Sequence, residues 1–207
     1  KRVLILTTTK MMVPQEQEIF AAYEQTGQES VISATASVWQ ERRAAEKQLK
    51  ERVQSVLDTY GCCVAGSLIP GTEKFGMLPE KLMEDLLYLA DEILIEADGS
   101  AHMPVKAPAE HEPVLFPYMD EVVIVMGAHA IGKPLMEVCH RVDYAKELLK
   151  CDADKIVTAA DIRALAEQGY AIPIQKQFPW MKISKVTGKD IKLCLTAEKK
   201  DKVRDKQ

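Results

Sequence analysis

Short, continuous apolar runs recur along the chain and predict the strands of a buried sheet. The strands predicted around such runs cover residues 3–6, 62–68, 92–96 and 121–126, and a second short strand is predicted at 30–34. Continuous apolar runs, unlike alternating ones, are typical of strands that are covered on both faces of a parallel sheet. The pattern therefore predicts a parallel sheet.

Helical periodicity is clearest between residues 37 and 60. Ser37 and Gln40 have the spacing of a capping box, and apolar residues then recur at spacings of three, four and seven as far as Tyr60, which Gly61 follows. Weaker helical patterns cover residues 14–23, 79–90, 142–149 and 161–167. Because strands and helices alternate, we expect a single α/β domain over residues 1–207, with helices on both faces of the sheet.

Composition and charge narrow the class of protein. The 207-residue chain has a formal net charge of −4 and no apolar run near the length of about 20 residues that spans a bilayer. This balance gives no electrostatic reason to expect nucleic acid or an anionic membrane as a partner. The five cysteines lack C-x-x-C spacing, which argues against a disulfide framework or a zinc site. We expect a soluble, cytoplasmic protein and leave its oligomeric state open.

Polar segments follow three of the predicted strands, at residues 7–10, 96–100 and 127–134. Ligands of parallel α/β sheets bind beyond the carboxyl ends of the strands, so we expect these segments to converge. Glu96 and Asp98 end an apolar run, which is where nucleotide-hydrolysing proteins place a carboxylate that holds Mg²⁺ through water. Gly99 would permit an unusual backbone angle or a close ligand approach. The alternative is an acidic turn of no special function.

Two segments resemble the phosphate-binding loop G-x-x-x-x-G-K-[ST] but fail at a defining position. Residues 127–134 contain Gly127, Gly132 and Lys133, but Pro134 stands where the loop needs a hydroxyl for magnesium. In residues 71–76 no lysine follows the second glycine. We therefore expect no phosphate-binding loop within residues 1–207. Because a basic pair leads directly into the first strand, we expect the native N-terminus to lie upstream.

The stretch after the acidic strand contains all four histidines and several prolines. Pro104, Pro108 and Pro113 stiffen a loop that is expected to present Lys106, His111 and Glu112. Imidazole and carboxylate are ordinary ligands of transition metals, but the spacing matches no metal signature. A surface hydrogen-bond network is the alternative interpretation.

Several motifs follow one another between residues 96 and 141 of the chain. They are Glu96-Ala97-Asp98-Gly99-Ser100, then Pro104-Val105-Lys106-Ala107-Pro108-Ala109-Glu110-His111-Glu112-Pro113-Val114, then Gly127, Gly132-Lys133-Pro134-Leu135 and His140-Arg141. Together, in this order, they closely resemble the YqeC family. The start, from Leu4 to Met11, is similar to the second strand of that family. The resemblance covers roughly residues 1–150. Residues 170–207 are not placed by it, and the charge-rich segment 198–206 predicts a frayed helix or tail.

The resemblance implies a P-loop NTPase-like fold and an accessory role in the maturation of selenium-dependent molybdenum hydroxylases. It places the phosphate loop before the first strand of this chain, so Mg²⁺ with ATP or GTP is expected only if that loop lies upstream. An Asn-Lys-x-Asp element for guanine is not matched by Thr187-Gly188-Lys189-Asp190.

Two hypotheses of different classes follow. In a nucleotide-dependent maturation factor, Asp98 and Glu96 would be catalytic. Nucleotide would be bound by Thr8, Thr9, Lys10, Gly99 and Ser100. The cargo or the client hydroxylase would be bound by Lys106, His111, Glu112, Lys133, His140 and Arg141. The alternative is a non-hydrolytic module that binds a molybdopterin-type or selenium-bearing molecule, or a scaffold for the hydroxylase.

Overall fold

A computed structural model describes residues 1–24 and 36–188, and these form two compact units. The first unit is Lys1–Glu96, and the second comprises the described residues from Ala97 onward. The predicted strand at 30–34, the side chain of Ser37 and the charged segment 198–206 lie outside the description. The single domain over residues 1–207 stays a prediction.

The first unit is built around a sheet whose strands come from all parts of Lys1–Glu96. In chain order its elements are β1 (Val3–Thr7), β2 (Lys10–Met12), β3 (Phe20–Tyr23), α1 (Ala36–Tyr60), β4 (Cys62–Leu68), β5 (Lys74–Gly76), α2 (Glu80–Leu86) and β6 (Glu92–Glu96).

The sheet of the first unit is mixed, which confirms the α/β class but not a wholly parallel sheet. β1 lies between β4 and β6 and is parallel to both, and β3 is parallel to β4. In contrast, β5 is antiparallel to β4, and β2 is antiparallel to β5. Residues 69–73 are the whole connection between β4 and β5. A parallel pair needs a crossover of about a dozen residues or more, so this short turn permits only an antiparallel partner.

Apolar residues at helical spacing bury one side of α1 in the first unit. Leu49, Val53 and Val56 are almost fully buried, and α1 packs against β3 and β4. Gly61 follows the helix with a φ of 72°, in the left-handed region that glycine adopts without strain. The long helix and the residue that ends it are therefore confirmed.

The second unit combines two small parallel sheets with helices. In chain order its elements are β7 (Val105–Lys106), β8 (Glu121–Gly127), α3 (Leu135–Val138), β9 (Cys139–His140), α4 (Val142–Leu149), α5 (Ala159–Ala164), α6 (Ile172–Gln177) and β10 (Lys182–Gly188). β8 and β10 pair from Glu121↔Lys182 to Gly127↔Gly188, whereas β7 and β9 share two residue pairs. Ile124 and Met126 of β8 lie in the core that the helices cover.

A continuous helical stretch runs from α5 into α6 through a π-helical segment, Leu165–Ala171. It begins at Thr158, whose side chain accepts a hydrogen bond from the Asp161 amide in a capping box. The π-helical turn is rare in proteins and frequently lies at functional sites. The predicted helix at 161–167 thus lies in the first half of a longer helical stretch.

Two further sequence predictions are wrong in detail. The helix expected at 14–23 is a 3₁₀ turn at Gln17–Ile19 followed by β3, because pairing with β4 outweighs the local pattern. The helix expected at 79–90 ends at Leu86, although Pro79 does precede its first turn. Among the helices in the described ranges, none has both the length and the apolar character needed to cross a bilayer.

Candidate functional site

A buried lysine between two carboxylates forms the centre of the candidate site in the second unit. The Lys106 side chain is 5% exposed, and its ammonium group contacts Asp98 Oδ1. It also lies 2.9 Å from Glu112 Oε2 and donates to the Gly99 carbonyl oxygen at 2.9 Å. An ammonium group has three N–H donors, and these three acceptors use all of them. The loop residue expected to be presented to a partner is therefore an internal charge.

Arg141 neutralises the second carboxylate. Its Nη2 atom donates to Glu112 Oε1 at 2.8 Å, and the Ala109 amide donates to Glu112 Oε2 at 3.1 Å. Burial by itself raises the pKa of Glu112, but hydrogen bonds from Lys106, Ala109 and Arg141 outweigh burial and lower the pKa to about 2. Glu112 is consequently ionised at any physiological pH.

Tyr170 joins the network from the π-helical segment. Its hydroxyl donates to Asp98 Oδ2 at 2.7 Å. Burial, and then the charge of Asp98, raise the pKa of the Tyr170 phenol far above its ordinary value. The hydroxyl therefore stays protonated and remains a hydrogen-bond donor to Asp98.

The short β7–β9 pairing explains how distant segments meet in this network. β7 ends at Lys106, which is opposite His140, and the Ala107 amide donates to the His140 carbonyl oxygen at 3.2 Å. Arg141 follows with a φ of 64°, a left-handed conformation that is uncommon without glycine. This turn separates β9 from α4 and places the Arg141 guanidinium at Glu112.

A cavity of about 300 Å³ lies beside this network, within the second unit. Its walls mix the network with apolar and imidazole side chains. They are formed by Asp98, Ser100, His102, Met103, Pro104, Val105, Lys106, Val125, Met126, Gly127, His129, Tyr170 and Gly188. Its volume is at the lower end of the range of about 300–1,000 Å³ typical of small-molecule sites.

Two backbone features shape the cavity. Gly127 donates its amide to the Pro104 carbonyl oxygen at 2.7 Å, and an added Cβ there would lie 2.9 Å from that oxygen. Ala101 and His102 are consecutive residues with φ values of 52° and 64°. Left-handed conformations of non-glycine residues store strain and cluster at functional sites. The shape of the cavity wall therefore depends on the lack of a side chain at Gly127 and on the strained turn at Ala101 and His102.

The predicted residues of the first unit meet at the ends of two parallel strands. Thr7 pairs with Glu96 in register, and the Thr7 hydroxyl and the Thr8 amide each donate to the Glu96 carbonyl oxygen at 3.0 Å. The Thr9 amide donates to Thr7 Oγ1 at 3.0 Å, and Lys10 is exposed in β2. Convergence of this edge with Asp98 and Lys133 stays a prediction.

The remaining predicted residues of the second unit differ in their surroundings. His111 is 75% exposed, with Nε2 4.0 Å from Glu112 Oε1, and Lys133 is also exposed. Gly99 is not among the glycines with a positive φ, and no atom lies within 4 Å of a Cβ built there, so a close ligand approach at Gly99 stays a prediction. Neither His111 nor Lys133 hydrogen-bonds to Asp98 or Lys106 in the described part of the structure.

Magnesium fits poorly at Asp98. One carboxylate oxygen contacts the Lys106 ammonium, and the other accepts from Tyr170. A divalent cation at Asp98 would lie beside a positive charge, which opposes its binding. Within the described ranges, no group of three or more histidine, cysteine, aspartate or glutamate side chains is arranged to hold a metal ion. The magnesium role of Asp98 and Glu96 stays a prediction.

Sequence reasoning identified four of the five network residues but missed Tyr170. The apolar pattern after residue 161 follows ordinary helical spacing, and a π-helical turn shifts every later side chain out of that spacing. The pair Gly169-Tyr170 was the available signal, because glycine is unfavourable inside a helix unless a neighbour approaches closely. Pro108 does approach: its Cδ would lie 3.0 Å from a Cβ at Gly169.

Comparison with known proteins places the chain in a family. The model of the family described as YqeC protein matches residues 1–143. A relative, the uncharacterized protein YqeC of Escherichia coli (strain K12), is 42% identical over 76 residues, which are 36% of this chain and 30% of the relative. No solved structure matches the chain. Because the family model covers 143 of the 207 residues, the chain belongs to the YqeC family.

Proposed function

We propose that the chain is a binding module that holds a small polar molecule in the cavity beside Asp98. The observation on which this proposal depends is the ion-paired wall of the cavity. Lys106 is almost fully buried between Asp98 and Glu112 within the second unit. Burying the charges of Lys106, Asp98 and Glu112 is costly, and apolar replacements are often at least as stable. A charged network beside a cavity is expected where a binding surface is pre-organised, because polar groups held in fixed positions give specificity for the ligand.

The molecule is proposed to be a cargo of hydroxylase maturation. The family resemblance suggests an accessory role for selenium-dependent molybdenum hydroxylases, so a molybdopterin-type or selenium-bearing molecule, or the client enzyme itself, is the expected partner. His111, Lys133, His140 and Arg141 do not line the cavity, so they are proposed as contacts to the client enzyme rather than to the molecule in the cavity. Catalysis by the chain is not needed for this role.

Asp98→Asn tests the proposal because it changes the cavity wall with almost no change in shape. A strain lacking this protein is complemented with the variant, and selenium-dependent hydroxylase activity is measured at matched protein levels. We expect activity to be lost. Asp143→Asn is the matched control, since Asp143 is an 87% exposed residue of the same unit. Full activity from a folded Asp98→Asn variant would contradict the binding role.

A second candidate is a nucleotide-dependent factor with a P-loop NTPase-like fold. The observation that favours it is the parallel pairing of β1 and β6, which ends with Thr7 opposite Glu96. Thr8, Thr9 and Lys10 follow that edge, where parallel sheets bind phosphates. Residues 1–207 contain no candidate for a phosphate-binding loop, so this function with Mg²⁺ and ATP or GTP depends on a loop upstream.

Calorimetric titration separates the two candidates. Without a phosphate loop the array of N–H donors and the lysine that neutralise phosphates are missing. Residues 1–207 are therefore expected to bind magnesium-ATP and magnesium-GTP weakly or not at all. Affinity in the micromolar range for either nucleotide would show that the phosphate site lies within these residues. A longer chain with a G-x-x-x-x-G-K-[ST] segment upstream, if it binds nucleotide tightly, would support the second candidate.

A further inference from the structure

The hydrogen-bonded group of Asp98, Lys106 and Tyr170 in the cavity wall has spare acceptors but no spare donor. Lys106 directs its three N–H groups to Asp98, Gly99 and Glu112. Tyr170 uses its O–H group on Asp98. In contrast, each oxygen of the Asp98 carboxylate can accept about two hydrogen bonds, and each receives one from these partners. The phenol oxygen of Tyr170 can also accept.

This inventory determines which ligand the wall can recognise. An anion next to Asp98 would be repelled by the carboxylate, and the N–H and O–H groups of Lys106 and Tyr170 are already used. Only lining side chains outside the network, Ser100, His102 and His129, could donate to it. A ligand that donates two adjacent N–H groups would pair with both carboxylate oxygens in a charge-assisted, bidentate manner. The geometry therefore favours a donor edge over an anionic group.

We propose that the cavity binds a planar heterocycle through a 2-amino-4-oxopyrimidine edge, whose ring N–H and amino N–H groups face Asp98. This inference rests on the proposed binding function of the cavity and gives the chemical class of its ligand. It also accounts for Tyr170, which holds the second carboxylate oxygen in position for the ligand.

The size and the apolar walls of the cavity agree with a single ring system. About 300 Å³ accommodates a bicyclic ring, whereas a nucleotide with its phosphates would extend beyond the cavity. Met103, Val105 and Met126 provide apolar surface next to the polar wall. Thioether side chains pack favourably against aromatic rings and adapt to their shape.

Pterin and lumazine are a matched pair of probes for this edge. Pterin has the amino group next to its ring N–H, and lumazine has a carbonyl acceptor in that place, with almost the same shape. Titrations followed by the intrinsic fluorescence of the two rings should show pterin binding at least about tenfold more tightly, because lumazine loses a hydrogen bond to a charged group. Inorganic phosphate should not compete with pterin.

Asp98→Asn replaces one acceptor oxygen with an N–H₂ donor and should reduce pterin affinity by about tenfold or more. Asp143→Asn should leave it unchanged. If Asp98→Asn does not fold, the pterin-to-lumazine ratio of the unchanged protein still decides the question.

Three results would overturn the inference. Equal binding of lumazine and pterin would exclude a donor edge, and competition by inorganic phosphate would indicate an anion site. Either result would leave the cavity as a ligand site and the binding function intact. Absence of binding by all three probes would reject the ligand class, and the hydroxylase complementation described above would then decide the binding function separately.

Discussion

Removal of the Lys106 ammonium should destabilise the second unit strongly. We consider Lys106→Met, which keeps an unbranched side chain of similar length and so preserves most of the packing. Removing one partner of a buried ion pair typically costs about 3–5 kcal/mol, because the remaining charge is left uncompensated. Here Tyr170 still donates to Asp98, and Arg141 still neutralises Glu112. We therefore expect a loss at the lower end, about 3 kcal/mol in the free energy of unfolding.

Urea unfolding with a fluorescence signal from the second unit measures this loss. Trp180 lies in the second unit and Trp39 in the first, so a Trp39→Phe background assigns the signal to Trp180. Lys133→Met is the matched control at an exposed position, where substitutions usually change stability by less than about 0.5 kcal/mol. If Lys106→Met lowers the free energy of unfolding by less than about 1 kcal/mol, the prediction is wrong, because a loss of that size is expected of a solvent-exposed ion pair.

Three further predictions concern neighbouring groups. Because the folded pKa of Glu112 is lowered from 4.5 to about 2, its stabilising contribution is present above pH 4.5 and is lost as the pH falls toward 2. The free energy of unfolding, measured between pH 5 and pH 2, should show this loss, and the Glu112→Gln variant should lack this pH dependence. Tyr170→Phe should cost about 1.5 kcal/mol in urea unfolding through the lost hydrogen bond to a charged group, whereas Tyr144→Phe at an exposed site should not. Gly127→Ala should lower the melting temperature and weaken the binding of any ligand in the cavity, because the added methyl group would lie 2.9 Å from a backbone oxygen. Gly99→Ala has open space around it and should change neither quantity.

The elements that the sequence predicted correctly are those with a strong local pattern. The strands at 62–68 and 92–96 and the helix at 37–60 have continuous or periodic apolar positions that no other structure satisfies as well. β3 and β10 were missed because each depends on a partner strand. β10 in particular has lysines at 182 and 185, and its pairing with β8 cannot be inferred from its own residues.

The candidate site shows the same division between local and non-local information. Asp98, Lys106, Glu112 and Arg141 were selected from the sequence, but as separate contacts to metal, cargo and client. Lys106 and Arg141 are brought close by the two residue pairs of β7 and β9, and strands this short leave no periodic pattern in the sequence. The position of Lys106 among prolines predicts an exposed side chain, but the pairing of β7 with β9 buries it.

The hydrogen bond between Tyr170 and Asp98 joins residues 72 positions apart in the chain, and this separation affects when the cavity can exist. Contacts between distant residues form late, because a long loop must close before they contribute. During synthesis from the N-terminus, the strands described in the first unit's sheet are complete by Glu96, whereas the cavity also needs Tyr170 and Gly188. The cavity, and with it the proposed ligand binding, therefore exists only after most of the second unit has been synthesised. A ligand that binds the cavity would thus select completed molecules over partly made ones.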